Sequence, residues 1–238
     1  MSENLDSVAG LPMVINWRLI GHVFCTWEIG MDAVEKILPT RLEPVELRPG
    51  VGLLSIGCLR FAKGHFTADA PEFNEIVIVV HVQPDLSVAM PQPRFTFYAH
   101  SVVSDSVNFV DHEAREIFTP TEHVPSLQLD FSPDGLGVRA WDEDGPFLEL
   151  RSTAPASAFT PALIWGQYYS QIGRLRHGIW NWQGTRFEHM QRGDPGKPMP
   201  HPYFRGLDVS KVSSCYRQMY AEPGRVHNER FYKVRLLD

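Results

Sequence analysis

Lysine is scarce in this chain: it occurs only at Lys36, Lys63, Lys197, Lys211 and Lys233 among 238 residues. Chemistry that needs a reactive amine therefore has few places to sit. Cysteine is scarcer, with Cys25, Cys58 and Cys215 odd in number and widely spaced. No C-x-x-C or other zinc spacing occurs, so these three read as reduced core thiols in a cytoplasmic protein. The chain has no run of five or more Lys/Arg, which removes a nucleic-acid footprint. No apolar stretch approaches the ~20 residues that span a bilayer, so no membrane contact is expected. The opening residues, MSENLDSVAGLPMVINW, lack the basic and long apolar regions of a signal peptide. G-x-G-x-x-G, P-loop, G-x-S-x-G and H-E-x-x-H patterns are all missing. Nucleotide cofactors, a serine-hydrolase elbow and a local zinc motif are thereby not indicated, and no cofactor is expected.

The chain does have enough apolar residues for a core. Hydrophobic residues make up 43%, and the formal charge is −6. The 19 prolines and 18 glycines are spread throughout, punctuating many short segments as in a β-rich domain. No linker or repeat breaks the chain, so residues 1–238 read as a single domain. Val14 to Trp27 and Val51 to Phe61 read as strands. Asp32 to Leu38 reads as a short helix with Met31, Val34, Ile37 and Leu38 on one face and Pro39 ending it. Phe73 to Val82 is so apolar and β-branched that both its faces should be buried. Arg94 to Val103 follows as a strand, then a helical turn around Asp111 to Ile117. Ser126 to Phe131, Gly137 to Trp141 and Pro146 to Arg151 read as a three-strand meander, with turns at Ser132-Pro-Asp-Gly135 and Asp142-Glu-Asp-Gly145. Ala162 to Tyr169 is aromatic-rich. Gly173 to Met190 reads as a hairpin, Asp208 to Tyr220 as a helix, and Phe231 to Leu236 as a final strand.

The most informative stretch is Ala114-Arg-Glu-Ile-Phe-Thr-Pro-Thr-Glu-His-Val124. It resembles the Gly-Arg-Glu-x-x-Gly-Phe-Pro-Lys-Lys signature of acetoacetate decarboxylases. In that family the first lysine forms a Schiff base with the keto acid and the second lowers its pKa. Arg115, Glu116 and Pro120 match, but the lysine positions hold Thr121 and Glu122, and Gly-Phe is reduced to Thr119. Trp27 to Pro44 (WEIGMDAVEKILPTRLEP) is similar to the family's early strand, short helix and exit. Glu75 opens a strand as in its Y-x-E segment beside the pocket. The family's arginine for the substrate carboxylate falls near Glu28. The resemblance runs from about Val14 to about Arg151 and weakens beyond. It implies the family's scaffold and pocket without imine chemistry. Some relatives perform aldol, dehydration or cyclisation steps in specialised metabolism.

Several residues are candidates for the remaining chemistry. Glu116 is the leading acid/base, since a carboxylate beside an apolar pocket is desolvated toward neutral pH; the other reading pairs it with Arg115. Glu75 is a second pocket carboxylate or a solvated strand start. His123, oriented by Glu122, is a base poised near pH 6.5, or both belong to an exposed turn. Thr96, Tyr98 and His100 share a strand face; pointing inward, Tyr98 and His100 would hold a carbonyl and its enolate. Arg115 and Thr121 complete the expected substrate contacts. His81 reads as a core or edge histidine. Trp165, Tyr168, Tyr169, Trp180 and Trp182 form an aromatic wall suited to core and subunit contact or to stacking on a flat substrate. Arg174 and Arg176 alternate on a strand. The ten histidines show no grouped metal spacing, so no metal is assigned.

The expectation is a β-rich α+β fold, a large curved antiparallel sheet or closed β-barrel around one cavity with a few short helices. The expected function is a lyase, cyclase or isomerase of the acetoacetate decarboxylase-like superfamily. It would dehydrate, cyclise or isomerise a keto acid or polyketide-like carbonyl intermediate by carboxylate/His catalysis. The alternative is a non-catalytic small-molecule binder on that scaffold. The partner is a small carbonyl compound, and the aromatic wall leaves room for a homo-oligomer.

Overall fold

The computed structural model describes residues 7–8, 11–63, 71–83, 95–117, 119, 121–152, 157–158, 162–171, 174–183, 186–190, 194–221 and 227–237. In chain order the elements begin with β1 (Ser7–Val8), β2 (Leu11–Gly30), α1 (Met31–Glu35), β3 (Val51–Phe61), β4 (Phe73–His81), β5 (Phe95–Ser104) and α2 (Val107–His112). A π-helical turn, Glu113–Ile117, runs on from α2. Then come β6 (Thr121–His123), β7 (Gln128–Phe131), β8 (Gly137–Asp142), β9 (Gly145–Arg151), β10 (Ser157–Ala158), β11 (Ala162–Gln171), β12 (Arg174–Gln183) and β13 (Arg186–Met190). β14 (Val212–Ala221) and β15 (His227–Leu237) close the sequence of elements.

One 12-stranded sheet carries the fold, and β7, β8 and β9 form a separate 3-stranded meander. The long strand β2 organises the large sheet. One of its edges pairs with β3, and the other pairs with β15 along its first half and β14 along its second. From β3 the pairings run through β4, β5, β11, β12 and β15 back to β2. The sheet as a whole is not closed, because β14, β13 and β10 continue from β2 to an edge with no further strand among the described residues. The expected antiparallel sheet is in fact mixed: β5 pairs in parallel with both β11 and β6.

Curvature is forced by side-chain packing. Phe24 on β2 and Phe97 on β5 have ring centroids 5.9 Å apart, although β3 and β4 lie between their strands. In a flat sheet, three interstrand spacings would separate them by ~14 Å. The face that carries them is therefore concave. Trp17, Leu59, Phe61, Phe73, Val77, Val79, Val102, Trp180 and Met219 share it, with Phe109 of α2. Each fully buried aromatic there contributes about 2–3 kcal/mol. The convex face carries Val23, Trp27, Ile56, Ile78 and Tyr98, covered by Val34 of α1, Phe147 and Leu150 of the meander and Tyr203 to Leu207.

The meander and its turns fall where the turn residues place them. Gly135 and Gly145 sit at φ +70° and +109°, backbone that side chains resist. Two segments differ from the sequence reading. The expected helix from Asp208 is a single 3-10 turn, Val209–Lys211, capped by Asp208, and then strand β14. The open edge of β2 supplies its partner, and tertiary pairing overrides local propensity. The expected hairpin between Gly173 and Met190 does not form. β12 pairs with β11 and β15, whereas β13 pairs with β14 and β10.

Candidate functional site

Alternation along each strand decides which polar groups enter the concave face. On β4, Phe73, Val77 and Val79 belong to it, so Glu75 and His81 lie on it too. Both are buried, at 7% and 5% exposure. On β2, Phe24 brings His22 and Thr26 to the same face, and on β3, Leu59 and Phe61 bring Ser55 and Gly57. Register extends these rows: Glu75 opposes Leu59 on β3 and Ser104 on β5. Val77 opposes Val102, which in turn opposes Thr121 on β6.

The expected site residues therefore separate. Thr121, at the position where the resemblance expects the imine-forming lysine, lies on the concave face beside Val102. Its hydroxyl is buried without a hydrogen-bond partner among the described residues, as is that of Thr119. Glu122 points the other way. It is exposed and receives a hydrogen bond from Arg205 at 3.0 Å. His123 is exposed, with Nε2 3.3 Å from the Asp105 carbonyl oxygen. Arg115 is exposed and its Nε donates to the Asp111 carbonyl oxygen at 3.1 Å, within its own helical segment. Arg115 is therefore not buried, and its pairing with Glu116 falls outside the described residues. Glu116 lies in the π-helical turn, and its side chain is outside the described residues, as is Pro120. Lys36, Lys63, Lys197 and Lys211 are all exposed, so none of these amines enters the concave face.

Tyr98 and His100 do not point inward. Tyr98 belongs to the convex cluster, and His100 Nε2 lies 2.8 Å from the Phe204 carbonyl oxygen. His100 is itself the extra residue where the β4–β5 register shifts between Ile78 and Val79. Burial lowers the His100 pKa and raises that of Tyr98. Thr96 is buried. Of the aromatic wall, Trp180 reaches the concave face, 5.3 Å from Trp17. The side chains of Trp165, Tyr168, Tyr169, Trp182 and Arg174 lie outside the described residues, and Arg176 is half-buried.

Sequence reasoning missed two features of this face. The first is Glu113, only 2% exposed. It follows Phe109 by one helical turn, so the i, i+4 spacing from that buried ring was the available signal. The second is a row of polar groups at the β14 end. Thr26 Oγ1 and Ser55 Oγ are 2.8 Å apart, and Ser55 Oγ lies 2.8 Å from His81 Nε2. Arg217, 2% exposed, opposes Thr26 from β14. Burial, then the positive charge of Arg217, hold the His81 pKa well below the ordinary histidine value. The neutral ring stands edge-on to Phe97 at 4.7 Å. Only the period-two pattern of β3 and β4 hinted at this row.

On the convex side, Glu122, His123, Asp142, Asp144, Tyr203 and Arg205 line a pocket of about 260 Å³. Tyr203 donates its hydroxyl hydrogen to Asp142, and His201 Nε2 lies 3.2 Å from the same carboxylate. Burial opposes ionisation of Asp142, but these groups and the Asp144 amide outweigh it and hold its pKa below the usual range. Asp142, Asp144 and His201 bring ligand-type atoms within 4.8 Å of one another. Asp142 already accepts from a hydroxyl and a backbone amide, so this group ties the meander to the Tyr203 segment. Burial raises the thiol pKa of Cys25, Cys58 and Cys215, which are free.

No known family model matches the sequence, and no curated protein matches it. Solved structures do share its shape. An acetoacetate decarboxylase superposes with a TM-score of 0.62 at 13% identity, over 100% of this chain and 94% of its own. The acetoacetate decarboxylase of Legionella pneumophila gives 0.62 at 12% identity, over 96% and 89%. The enduracididine biosynthesis enzyme MppR, complexed with pyruvate, gives 0.56 at 14% identity, over 94% and 90%. The chain has the acetoacetate decarboxylase-like fold.

Proposed function

We propose that this chain uses the concave face of its acetoacetate decarboxylase-like fold for acid–base chemistry on a small carbonyl compound, without an imine. The observation that carries the reading is the buried carboxylate of Glu75 on that face, close in register to Thr121. Glu75 moves the proton at the carbon next to the carbonyl. The Thr121 hydroxyl, which lacks a partner among the described residues, donates to the carbonyl oxygen as it gains enolate character. Glu113, buried at the same end as Phe109, is a second carboxylate for a dehydration or cyclisation. The expected roles of Glu122, Tyr98 and His100 are not part of this reading, because they lie outside the concave face; His123 shares the Thr121 side of β6 but is exposed, and it is left out for that reason.

Enolisation is read directly by deuterium exchange. The protein is incubated in D₂O with pyruvate, acetoacetate and longer oxo acids, and loss of the C–H signal next to the carbonyl is followed by NMR. Exchange above background is expected, with Glu75→Gln reducing it by roughly two orders of magnitude. Undiminished exchange in a folded Glu75→Gln protein would refute the assignment. A second reading is a non-catalytic binder. It is favoured by the tight packing of Phe61 on Phe73 at 4.7 Å and of Phe73 against Phe109 at 4.9 Å. Saturable binding of a carbonyl compound without exchange would select it.

A further inference from the structure

Asn74 precedes Glu75 on β4, and each of its polar groups is engaged. Its backbone N–H and its Nδ2 both donate to the Asp105 carboxylate, at 2.8 and 2.7 Å. Its Oδ1 accepts from Arg60 Nε on β3 at 3.1 Å. Its carbonyl oxygen accepts from Ser104 Oγ at 2.7 Å and from the Asp105 amide at 3.4 Å. We infer that Asn74 and Asp105 are positioning residues for the proposed acid–base chemistry, and that their contact sets the relative placement of Glu75, Thr121 and Glu113. The inference rests on that reading of the concave face.

Asp105 lies in the short connection between β5, which ends at Ser104, and α2, which begins at Val107. Ser104 opposes Glu75 in register. Its hydroxyl also accepts from the Ser106 amide at 3.2 Å, and Ser106 caps α2 by accepting from the Phe109 amide at 3.2 Å. One helical turn beyond Phe109 is the buried Glu113. β6 is tied to the same connection. The Val124 amide donates to the Ser104 carbonyl oxygen at 2.8 Å, and His123 Nε2 lies 3.3 Å from that of Asp105. Thr121 is two residues before His123. The β4–β5 ladder already joins the two strands from Glu75 to His81, so the added contacts serve to fix the Glu75 end precisely. An aspartate accepts both Asn74 N–H groups at once; asparagine at 105 keeps the shape but offers a single acceptor and turns an N–H toward that of Asn74.

The test exchanges the two side chains in the full chain. Asp105→Asn and Asn74→Asp each leave a mismatched pair, two amides or two carboxylates, whereas the double variant restores one of each. The first readout is deuterium exchange of the oxo acid that the wild type exchanges fastest. Each single variant should lower kcat about tenfold or more with KM little changed, because a misplaced base weakens the transition state more than the bound substrate. The double variant should return to within about threefold of the wild type. The second readout does not depend on turnover. The isotope-labelled carboxyl carbon of Glu75, assigned by NMR with Glu75→Gln, is titrated in all these proteins. Its midpoint should move in each single variant and return in the double one. If the wild type shows no exchange, the enolisation reading fails, and this titration still decides the inference. Ser104→Ala removes one contact only and should shift the same resonance; it serves if the single variants do not fold. Losses that add in the double variant would overturn the proposal. So would a Glu75 titration identical in all the folded proteins alongside a lowered unfolding midpoint, since the pair would then hold the fold without placing Glu75.

Discussion

His81 makes a quantitative prediction about stability and pH. Its folded-state pKa is held well below the ordinary value of 6.5 by burial and by Arg217. In the unfolded chain it titrates near that ordinary value. Between these limits the unfolded state binds the proton and the folded state does not, so stability falls as the solution is acidified. The contribution is fully present above pH 6.5 and is lost downward toward the folded pKa. From pH 7.5 to 5.5, one histidine that stays neutral when folded costs about 1.4 kcal/mol. With a urea slope of about 2.5 kcal/mol/M, that is a midpoint shift of roughly 0.5 M. Other groups titrate as well, including His100, whose pKa is also lowered. The measurement is therefore a difference: urea unfolding of the wild type and of His81→Gln at both pH values. The variant should lose about 1.4 kcal/mol less on acidification than the wild type. Equal losses would mean that the folded protein protonates His81 as readily as the unfolded chain, and the neutral, buried ring would be refuted.

Further outcomes follow from the same geometry. Incubation with acetoacetate and borohydride should leave the mass of the wild type unchanged, while Thr121→Lys, which places an amine on the concave face, should gain a reduced adduct. An adduct on Lys36, Lys63, Lys197 or Lys211 of the wild type would contradict the exposure of these four lysines. Gly57→Ala places a methyl 2.8 Å from Phe24 Cδ2 and 2.9 Å from Val77 Cγ1, so a loss of about 1–3 kcal/mol in chemical unfolding is expected; an unaltered midpoint would show that the concave face has slack there. Arg115→Ala should change stability by no more than about 0.5 kcal/mol, because this side chain is exposed. A loss of several kcal/mol would restore the buried ion pair.

What the sequence reveals here is local. The meander is legible because each turn is written in four residues, and α1 because Met31 and Val34 share one face, although the helix ends at Glu35, short of the expected Leu38, and Ile37 and Leu38 pack on the core from beyond it. The apolar run of β4 announces its burial on both faces, which is observed. What is not local is not legible. β14 becomes a strand because β2 offers it an edge, and no short window of sequence contains that partner. Tyr98 and His100 face outward by simple alternation from Phe97 and Ala99, and the composition of β5 does not say which of its two faces is the concave one. Thr121 and Glu122 read as a pair of substituted lysines, yet neighbouring strand positions face opposite sides, so only one of them enters the concave face. The row from Thr26 to Arg217 draws on β2, β3, β4 and β14, and pairing alone assembles it.

The length of β2 also determines when the protein can be completed. Leu19 near its middle pairs with His227, and Met13 pairs with Tyr232. The first long strand of the chain thus waits for the last one. Pairings this remote in sequence are slow to form, because the loop between them must be closed before they return any stabilisation. During synthesis the first half of β2 would leave the ribosome with a bare backbone edge, and that edge would stay open until β15 had followed. Any agent that pairs with a strand edge has that interval in which to act. Refolding experiments that delete β15 should trap the protein at this stage, with aggregation seeded from residues 13–19.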